Sequence, residues 1–194
     1  MIFFIIFHLS CKIQLVIMPI DKLALSTSLI GGVAVLIAYG IVFSEEKKGY
    51  FDSRFWLDIP EATRKAICYI FQIPAALGYL VFILYATGVI GAGVRKGVLQ
   101  YGNGIGLTLS VGLFSVASVL WPFFTQSHLD KGYSAAYPAT ALVLAAVAAI
   151  VMTAGAFEAD LEWPAIVGVI FFSTTVLLAD AVGWNAKLIV KIPN

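Results

Sequence analysis

The sequence has few charged residues, and this scarcity decides its structural class. Of its 194 residues, 12% are charged and 61% are hydrophobic, whereas a soluble domain carries about 25% charged residues. A water-soluble domain of this length could not hide so much apolar surface, because small domains keep a large share of their area exposed. The composition therefore excludes an ordinary soluble domain and predicts a protein that is partly solvated by lipid.

The chain is also poor in the residues that most often carry chemistry. Its two cysteines, Cys11 and Cys68, lie far apart in apolar segments and suggest no Cys-x-x-Cys pair or disulfide framework. Its two histidines argue against a His-built metal site or a bis-His haem site. The net charge of +1, without a long Lys/Arg cluster, argues against nucleic-acid binding. No metal site or catalytic residue is predicted, and an enzyme is the least favoured class.

Five long apolar runs dominate what remains. A bilayer-spanning helix needs about 20 apolar residues, which predicts an all-α integral membrane protein with five transmembrane helices in one bundle over residues 21–194. The spans are predicted at about 23–43, 66–94, 105–124, 135–157 and 163–186. Pro74 is expected to kink the second helix, because proline frees a backbone carbonyl.

Residues 1–20 form a further hydrophobic segment, which is interrupted by His8, Ser10 and Lys12. Three interpretations remain open: a sixth span or anchor, a cleaved signal, or an extension upstream of a protein that starts at Met18. Cleavage is the least favoured of the three, because no clear small-residue cleavage site follows the apolar stretch.

Basic residues are concentrated on one side of the predicted bundle. Five spans place eight of them there: Lys47, Lys48, Arg54, Arg64, Lys65, Lys131, Lys187 and Lys191. The other side carries Lys22, Arg95 and Lys96 with an acidic turn at 158–162. Because basic loops stay on the cytoplasmic side, the long first loop (44–66) and the C-terminus are predicted to be cytoplasmic.

Aromatic residues and one acidic residue are the candidate site. Trp121, Phe123 and Phe124 are predicted to line a cavity between helices, where bundles usually bind ligands. A belt of aromatic side chains at the membrane interface is the alternative. Asp180 lies inside an apolar run, where an ionisable residue indicates function by default. It also lies near the helix end, so that a side chain reaching the interface is the competing interpretation.

Small residues predict where helices pack closely. Ala141, Ala145 and Ala149 recur at four-residue spacing, and Gly102 and Gly106 form a GxxxG pattern at the start of the third span. Such faces serve either the bundle itself or a homo-oligomer.

Three functions follow as hypotheses: a module that binds or transports an amphipathic ligand, an accessory subunit of a larger membrane complex, or a channel or proton-linked carrier that uses Asp180.

Several short segments resemble the translocator protein (TspO-type) family. Leu77-Gly-Tyr-Leu-Val-Phe82 is similar to its helix-two segment, Trp121-Pro-Phe-Phe124 to its close of helix three, and Phe172-Ser-Thr-Thr175 with Trp184-Asn185 to its end of helix five. Five helices with one long first loop match its topology. The Trp-x-Pro-Pro motif of its first loop is reduced here to Phe55-Trp56 and a distant Pro60.

The resemblance implies a dimeric five-helix bundle that binds tetrapyrroles or sterols between its helices, with aromatic residues as the wall. Together with Asp180, the predicted ligand-binding residues are Tyr79, Trp121, Phe123, Phe124, Phe172, Trp184 and Asn185.

Overall fold

The chain forms a bundle of five long helices in a computed structural model that describes residues 21–44, 54–56 and 59–190. The helices are α1 (Lys22–Ser44), α2 (Glu61–Ala86), α3 (Tyr101–Lys131), α4 (Ala136–Glu158) and α5, which begins at Trp163 and runs to Val190. Each is long and apolar enough to cross a bilayer. The predicted fold class, an all-α membrane bundle, is confirmed. The predictions for residues 1–20 and for Lys47, Lys48 and Lys191 lie outside the described residues.

The outside of the bundle is covered by large apolar side chains. On α1, Leu29, Ile30 and Leu36 are between 62% and 74% exposed. Exposed apolar surface on this scale is unfavourable in water but matches hydrocarbon chains. The environment of the five helices is therefore a lipid bilayer, and the protein is an integral, multi-pass membrane protein.

The helices close into a ring in which two of the four packed pairs join helices that are not consecutive in the chain. α1 packs on α3, α3 on α4, α4 on α5 and α5 on α2, while α1 and α2 touch only lightly. A hydrogen bond from the Asp21 amide to the Thr87 carbonyl, 2.8 Å long, nevertheless joins the start of α1 to the end of α2. This ring brings the ends of α3 and α5 together with the start of α2.

The second helix ends earlier than the apolar run that encodes it. The predicted span reached residue 94, whereas α2 ends at Ala86. Gly88, Gly91 and Gly93 have φ between 72° and 77°, a backbone conformation that breaks a right-handed helix and that glycine adopts at no steric cost. The apolar residues between these glycines kept the sequence hydropathy high although the helix had ended.

Two prolines lie inside helices with different consequences. Ahead of Pro74, α2 contains a π-helical stretch, Ile67–Gln72, which accommodates the carbonyl that proline leaves without a donor. α3 continues through Pro122 to Lys131, beyond the predicted end at residue 124, because a polar last turn follows the apolar span. Gly132, with φ of 66°, then caps α3.

Two glycines bring the backbones of α2 and α5 into close contact. A Cβ built on Gly78 would lie 2.5 Å from the carbonyl oxygen of Gly168, and one built on Gly168 would lie 2.6 Å from that of Gly78. Any side chain at either position would collide with backbone. We call this contact the glycine seam, and it holds the two helices at the short distance that small residues permit in membranes.

The small residues singled out in the sequence have two different roles. Ala141, Ala145 and Ala149 are all buried on α4, at 3%, 4% and 0% exposure, as expected for a packed helix face. Gly106, in contrast, packs on the short 3₁₀ turn before α3, since a Cβ there would collide with the carbonyl oxygen of Val98. The expected GxxxG helix pair is therefore corrected at Gly106 to a turn-packing position.

Candidate functional site

Three of the four tryptophans meet at one end of the bundle. The ring centroid of Trp184 lies 5.4 Å from that of Trp56 and 5.6 Å from that of Trp121, at inclined angles that favour aromatic pairs. The three side chains are between 2% and 7% exposed. They come from the first loop, α3 and α5, and we call them the tryptophan cluster.

The part of the first loop that the structure describes contains a 3₁₀ turn, Arg54–Trp56, which contacts this cluster. Phe55 is 1% exposed, and its ring centroid lies 6.1 Å from Trp121 and 5.1 Å from Phe43 of α1. Tyr39, one turn earlier on α1, is 5.9 Å from Trp121. Because these rings contact one another, the turn covers the end of the bundle and fills the space between α1, α3 and α5.

Phe123 and Phe124, both predicted site residues, lie at the edge of this group. They are half-buried and pack against the buried aromatic side chains. The ring centroid of Phe124 also lies 5.8 Å from that of Tyr137 at the start of α4. They therefore extend the aromatic surface toward α4.

Tyr79 and Phe172, also predicted site residues, belong to a second group. Their ring centroids are 5.0 Å apart, and Phe114 lies 4.8 Å from Phe172. The Tyr79 hydroxyl is 3.1 Å from the Ser28 hydroxyl of α1. This middle aromatic group joins α1, α2, α3 and α5 in the main hydrophobic core, whereas the tryptophan cluster belongs to a separate one. Phe114 lacked any motif that would have selected it from the sequence.

Three polar atoms beside the tryptophan cluster are buried without a hydrogen-bond partner. They are Trp121 Nε1, Thr125 Oγ1 and Asn185 Oδ1. Thr125 follows Trp121 by one turn of α3, and Asn185 follows Trp184 directly on α5. Buried polar groups are nearly always satisfied by protein, water or ligand. Their concentration here leaves hydrogen-bonding capacity for a partner that carries both acceptors and donors.

Asp180 lies in a π-helical stretch of α5, Val176–Trp184. Val176 and Trp184, roughly one turn to either side of it, are 5% and 6% exposed, while Leu178 and Val182 are more than 60% exposed. Asp180 itself is half-buried. The carboxylate therefore lies on the face of α5 that packs into the bundle. π-Helical stretches are rare and are often found at functional sites.

The opposite end of the bundle has a different chemistry. Glu158 accepts a hydrogen bond from the Val98 amide at 2.8 Å, and Asp160 forms an exposed ion pair with Lys96. An open cleft of about 400 Å³ lies beside them, between the loop after α2 and the acidic turn. Trp163, the fourth tryptophan, is 75% exposed at this end. Glu158 and Asp160 therefore bind the acidic turn to the segment between α2 and α3.

Within residues 21–44, 54–56 and 59–190, no three His, Cys, Asp or Glu side chains lie close enough together to hold a metal ion. The chain matches no protein-family model, no curated protein and no solved structure. The candidate site consequently rests on the geometry of the aromatic end and on the chemistry of its buried polar atoms.

Proposed function

We propose that the protein binds an amphipathic organic molecule at the tryptophan cluster, as a membrane-embedded binding or transport module. The observation that carries this proposal is Trp121, which is 7% exposed, lies among aromatic rings and has an indole N–H without an acceptor. A buried donor without a partner costs about 1–3 kcal/mol. A ligand with an apolar body and a polar group removes that cost.

The resemblance to the TspO-type family supports the same location. Two of the segments on which it rests, the start of Trp121-Pro-Phe-Phe124 and Trp184-Asn185, meet in the tryptophan cluster. Phe55-Trp56, which stands in place of the family's first-loop motif, contacts both of them. Segments so far apart in sequence have no local reason to converge. We therefore propose a tetrapyrrole or a sterol as the first ligands to test, because these are what the resemblance implies.

Ligand entry requires the turn Arg54–Trp56 to move, because the side chains of Phe55 and Trp56 occupy the space between the helices. Each inclined aromatic pair contributes about 0.5–1.5 kcal/mol beyond its buried area. A flat ligand that stacks on Trp121 and Trp184 replaces the contacts that Phe55 and Trp56 give up. The turn thus acts as a cover that the ligand displaces.

The charge distribution suggests from which side the ligand comes. Among the described residues, Arg64, Lys65, Lys131 and Lys187 lie at the ends of the helices that meet at the tryptophan cluster. Because basic loops stay in the cytoplasm, we place the first loop and the C-terminus there. The ligand would then exchange with the cytoplasmic side of the membrane.

Native mass spectrometry of the purified protein tests this proposal. The unmodified chain is compared with Trp121→Ala and with Trp163→Ala, the matched control at the exposed tryptophan of the other end. We expect the unmodified and control proteins to retain a small molecule, either co-purified or added as protoporphyrin or cholesterol. The Trp121→Ala protein is expected to lose it.

Two results would contradict the proposal. One is that Trp121→Ala and Trp163→Ala retain the same molecule equally well. The other is that the unmodified chain carries foreign protein subunits and binds neither protoporphyrin nor cholesterol, which would support the accessory-subunit hypothesis.

A second candidate function, a proton-linked carrier or channel, is favoured by Asp180 alone. Its carboxylate lies on the interior face of α5, in an irregular stretch of helix, and such residues mark ion and proton pathways in membranes. Flux measured in liposomes tests it. Asp180→Asn should abolish proton-coupled transport, and an unchanged flux would end this candidate.

A further inference from the structure

The carboxylate of Asp180 has no counter-charge among the residues that the structure describes. No described hydrogen bond or ion pair reaches it, and α4, which packs on this stretch of α5, contains no lysine or arginine. The nearest basic residue along α5 is Lys187, which is exposed and lies two turns on. An ionised carboxylate on an interior face is costly unless a cation accompanies it.

Further polar atoms and aromatic faces lie at this end of the bundle. Asn185 Oδ1, one turn after Asp180, is buried without a donor, and Thr125 Oγ1 on α3 has no partner either. The Trp184 ring, between Asp180 and Asn185 along the chain, contacts the other two rings of the cluster. Indole faces attract organic cations through their negative electrostatic potential, most strongly where water is excluded.

We propose that this corner of the bundle binds the positively charged group of an amphipathic organic cation. This inference rests on the proposed ligand-binding function and adds the charge of the ligand to it. Asp180 neutralises the cation, Asn185 Oδ1 accepts a hydrogen bond from a cationic N–H where the ligand has one, and the ligand's apolar part lies among the tryptophans. The cation supplies the ion pair that Asp180 lacks among the described residues, since α4 carries no basic residue and Arg64, Lys65, Lys131 and Lys187 lie at the helix ends.

A pair of probes with the same shape and opposite charge tests this assignment. Tetraphenylphosphonium and tetraphenylborate are titrated into the full chain in lipid nanodiscs, with tryptophan fluorescence as the signal. The chain has four tryptophans, and Trp163→Phe removes the one outside the cluster. The fluorescence of this background variant then reports on Trp56, Trp121 and Trp184 alone.

In this background we expect saturable quenching by the phosphonium and weaker binding of the borate. Asp180→Asn should reduce the affinity for the phosphonium by about tenfold or more, since a carboxylate–cation contact in a site without water is strong. Asp180→Glu should restore most of it. Asp160→Asn, at the exposed acidic turn, is the matched control and should change neither affinity.

The outcomes separate this inference from the function on which it rests. Equal or tighter binding of the borate, or an Asp180→Asn variant that binds the phosphonium unchanged, overturns the cation site. If protoporphyrin or cholesterol binds in the Trp163→Phe background and the phosphonium does not, only the charge assignment fails. If none of these probes quenches the cluster, the proposed function fails as well.

Discussion

The glycine seam and the tryptophan cluster bring helices together in opposite ways. At the seam, Gly78 and Gly168 expose backbone to backbone, and not even a methyl group fits. At the cluster, the largest side chains of the chain fill the space between α3, α5 and the first loop. Only glycine fits at the seam. The cluster consists of large rings, whose contacts a flat ligand replaces under the proposed function.

The two regions also differ in how well their polar atoms are satisfied. Near the seam, the Ser173 hydroxyl donates to the Ala149 carbonyl of α4 at 2.9 Å and lies 2.6 Å from the Thr153 hydroxyl. At the cluster, Trp121 Nε1 and Asn185 Oδ1 have no partner. A complete set of hydrogen bonds indicates a structural role, whereas buried polar atoms without a partner favour a ligand-binding role.

The largest effect is expected from filling the seam. Gly168→Leu drives a side chain into the Gly78 backbone, and overpacking of this kind costs about 3 kcal/mol or more. Gly40→Leu is the control, because nothing lies within 4 Å of a Cβ at Gly40 and leucine favours a helix. Unfolding followed by circular dichroism in detergent should show a large loss for the first and none for the second. Equal stability of the two variants would show that the seam is not tight.

A smaller effect is expected from the hydroxyl contact between α4 and α5. Ser173→Ala removes its hydrogen bond to Ala149, although Thr153 still donates to the same carbonyl. Interhelical hydrogen bonds in membranes contribute about 0.6 kcal/mol on average and at most about 1.7, so we expect a loss of about 1 kcal/mol. Thr175→Ala is the control, since that hydroxyl bonds within its own helix. A greater loss for Thr175→Ala, in the same unfolding measurement, would contradict this reading.

At the cluster, an aromatic replacement should be tolerated. Trp121→Phe keeps a ring in contact with Trp184 and removes an N–H that has no acceptor, so we expect stability to change by less than about 1 kcal/mol without ligand. Ligand affinity should fall, because the donor for the ligand is gone. Isothermal calorimetry and unfolding measure the two quantities. A large loss of stability with unchanged affinity would make Trp121 a packing residue only.

The smallest effect is expected at the far end of the bundle. Lys96 and Asp160 are exposed, and a double-mutant cycle with Lys96→Ala and Asp160→Ala should give a coupling of about 0.2–1 kcal/mol that falls in high salt. Unfolding of the four proteins at low and high ionic strength measures it. A coupling above that range would mean that this end orders the bundle as strongly as the seam does.

The fold class could be predicted because hydropathy determines the number of spanning helices. Five apolar runs long enough to span a bilayer leave few alternatives, and the bundle follows. The helix ends were harder to place. The end of α2 depends on the backbone conformation of Gly88 and its neighbours. α3 continues past its apolar span into a polar last turn, and hydropathy does not predict that this turn is helical.

The candidate site could be predicted only in part. Asp180 stood out because an acidic residue at membrane depth is uncommon, and Trp121 and Trp184 stood out because they lie in segments that resemble the TspO-type family. The contact of Trp56 with Trp184, and the seam between Gly78 and Gly168, depend on the ring order of the helices. Such pairings between distant segments carry no local signal, and the sequence offered no means to choose them. The same order separates Tyr79 and Phe172 from the tryptophan cluster.

The most direct test of the account is fluorine NMR of the chain labelled with 5-fluorotryptophan. Four tryptophans give four resonances, which single Trp→Phe variants assign. Protoporphyrin, cholesterol and tetraphenylphosphonium are added in turn. The account predicts that at least one of them shifts Trp56, Trp121 and Trp184 together and leaves Trp163 in place. A shift of Trp163 alone, or four resonances that none of the three probes moves, would contradict it.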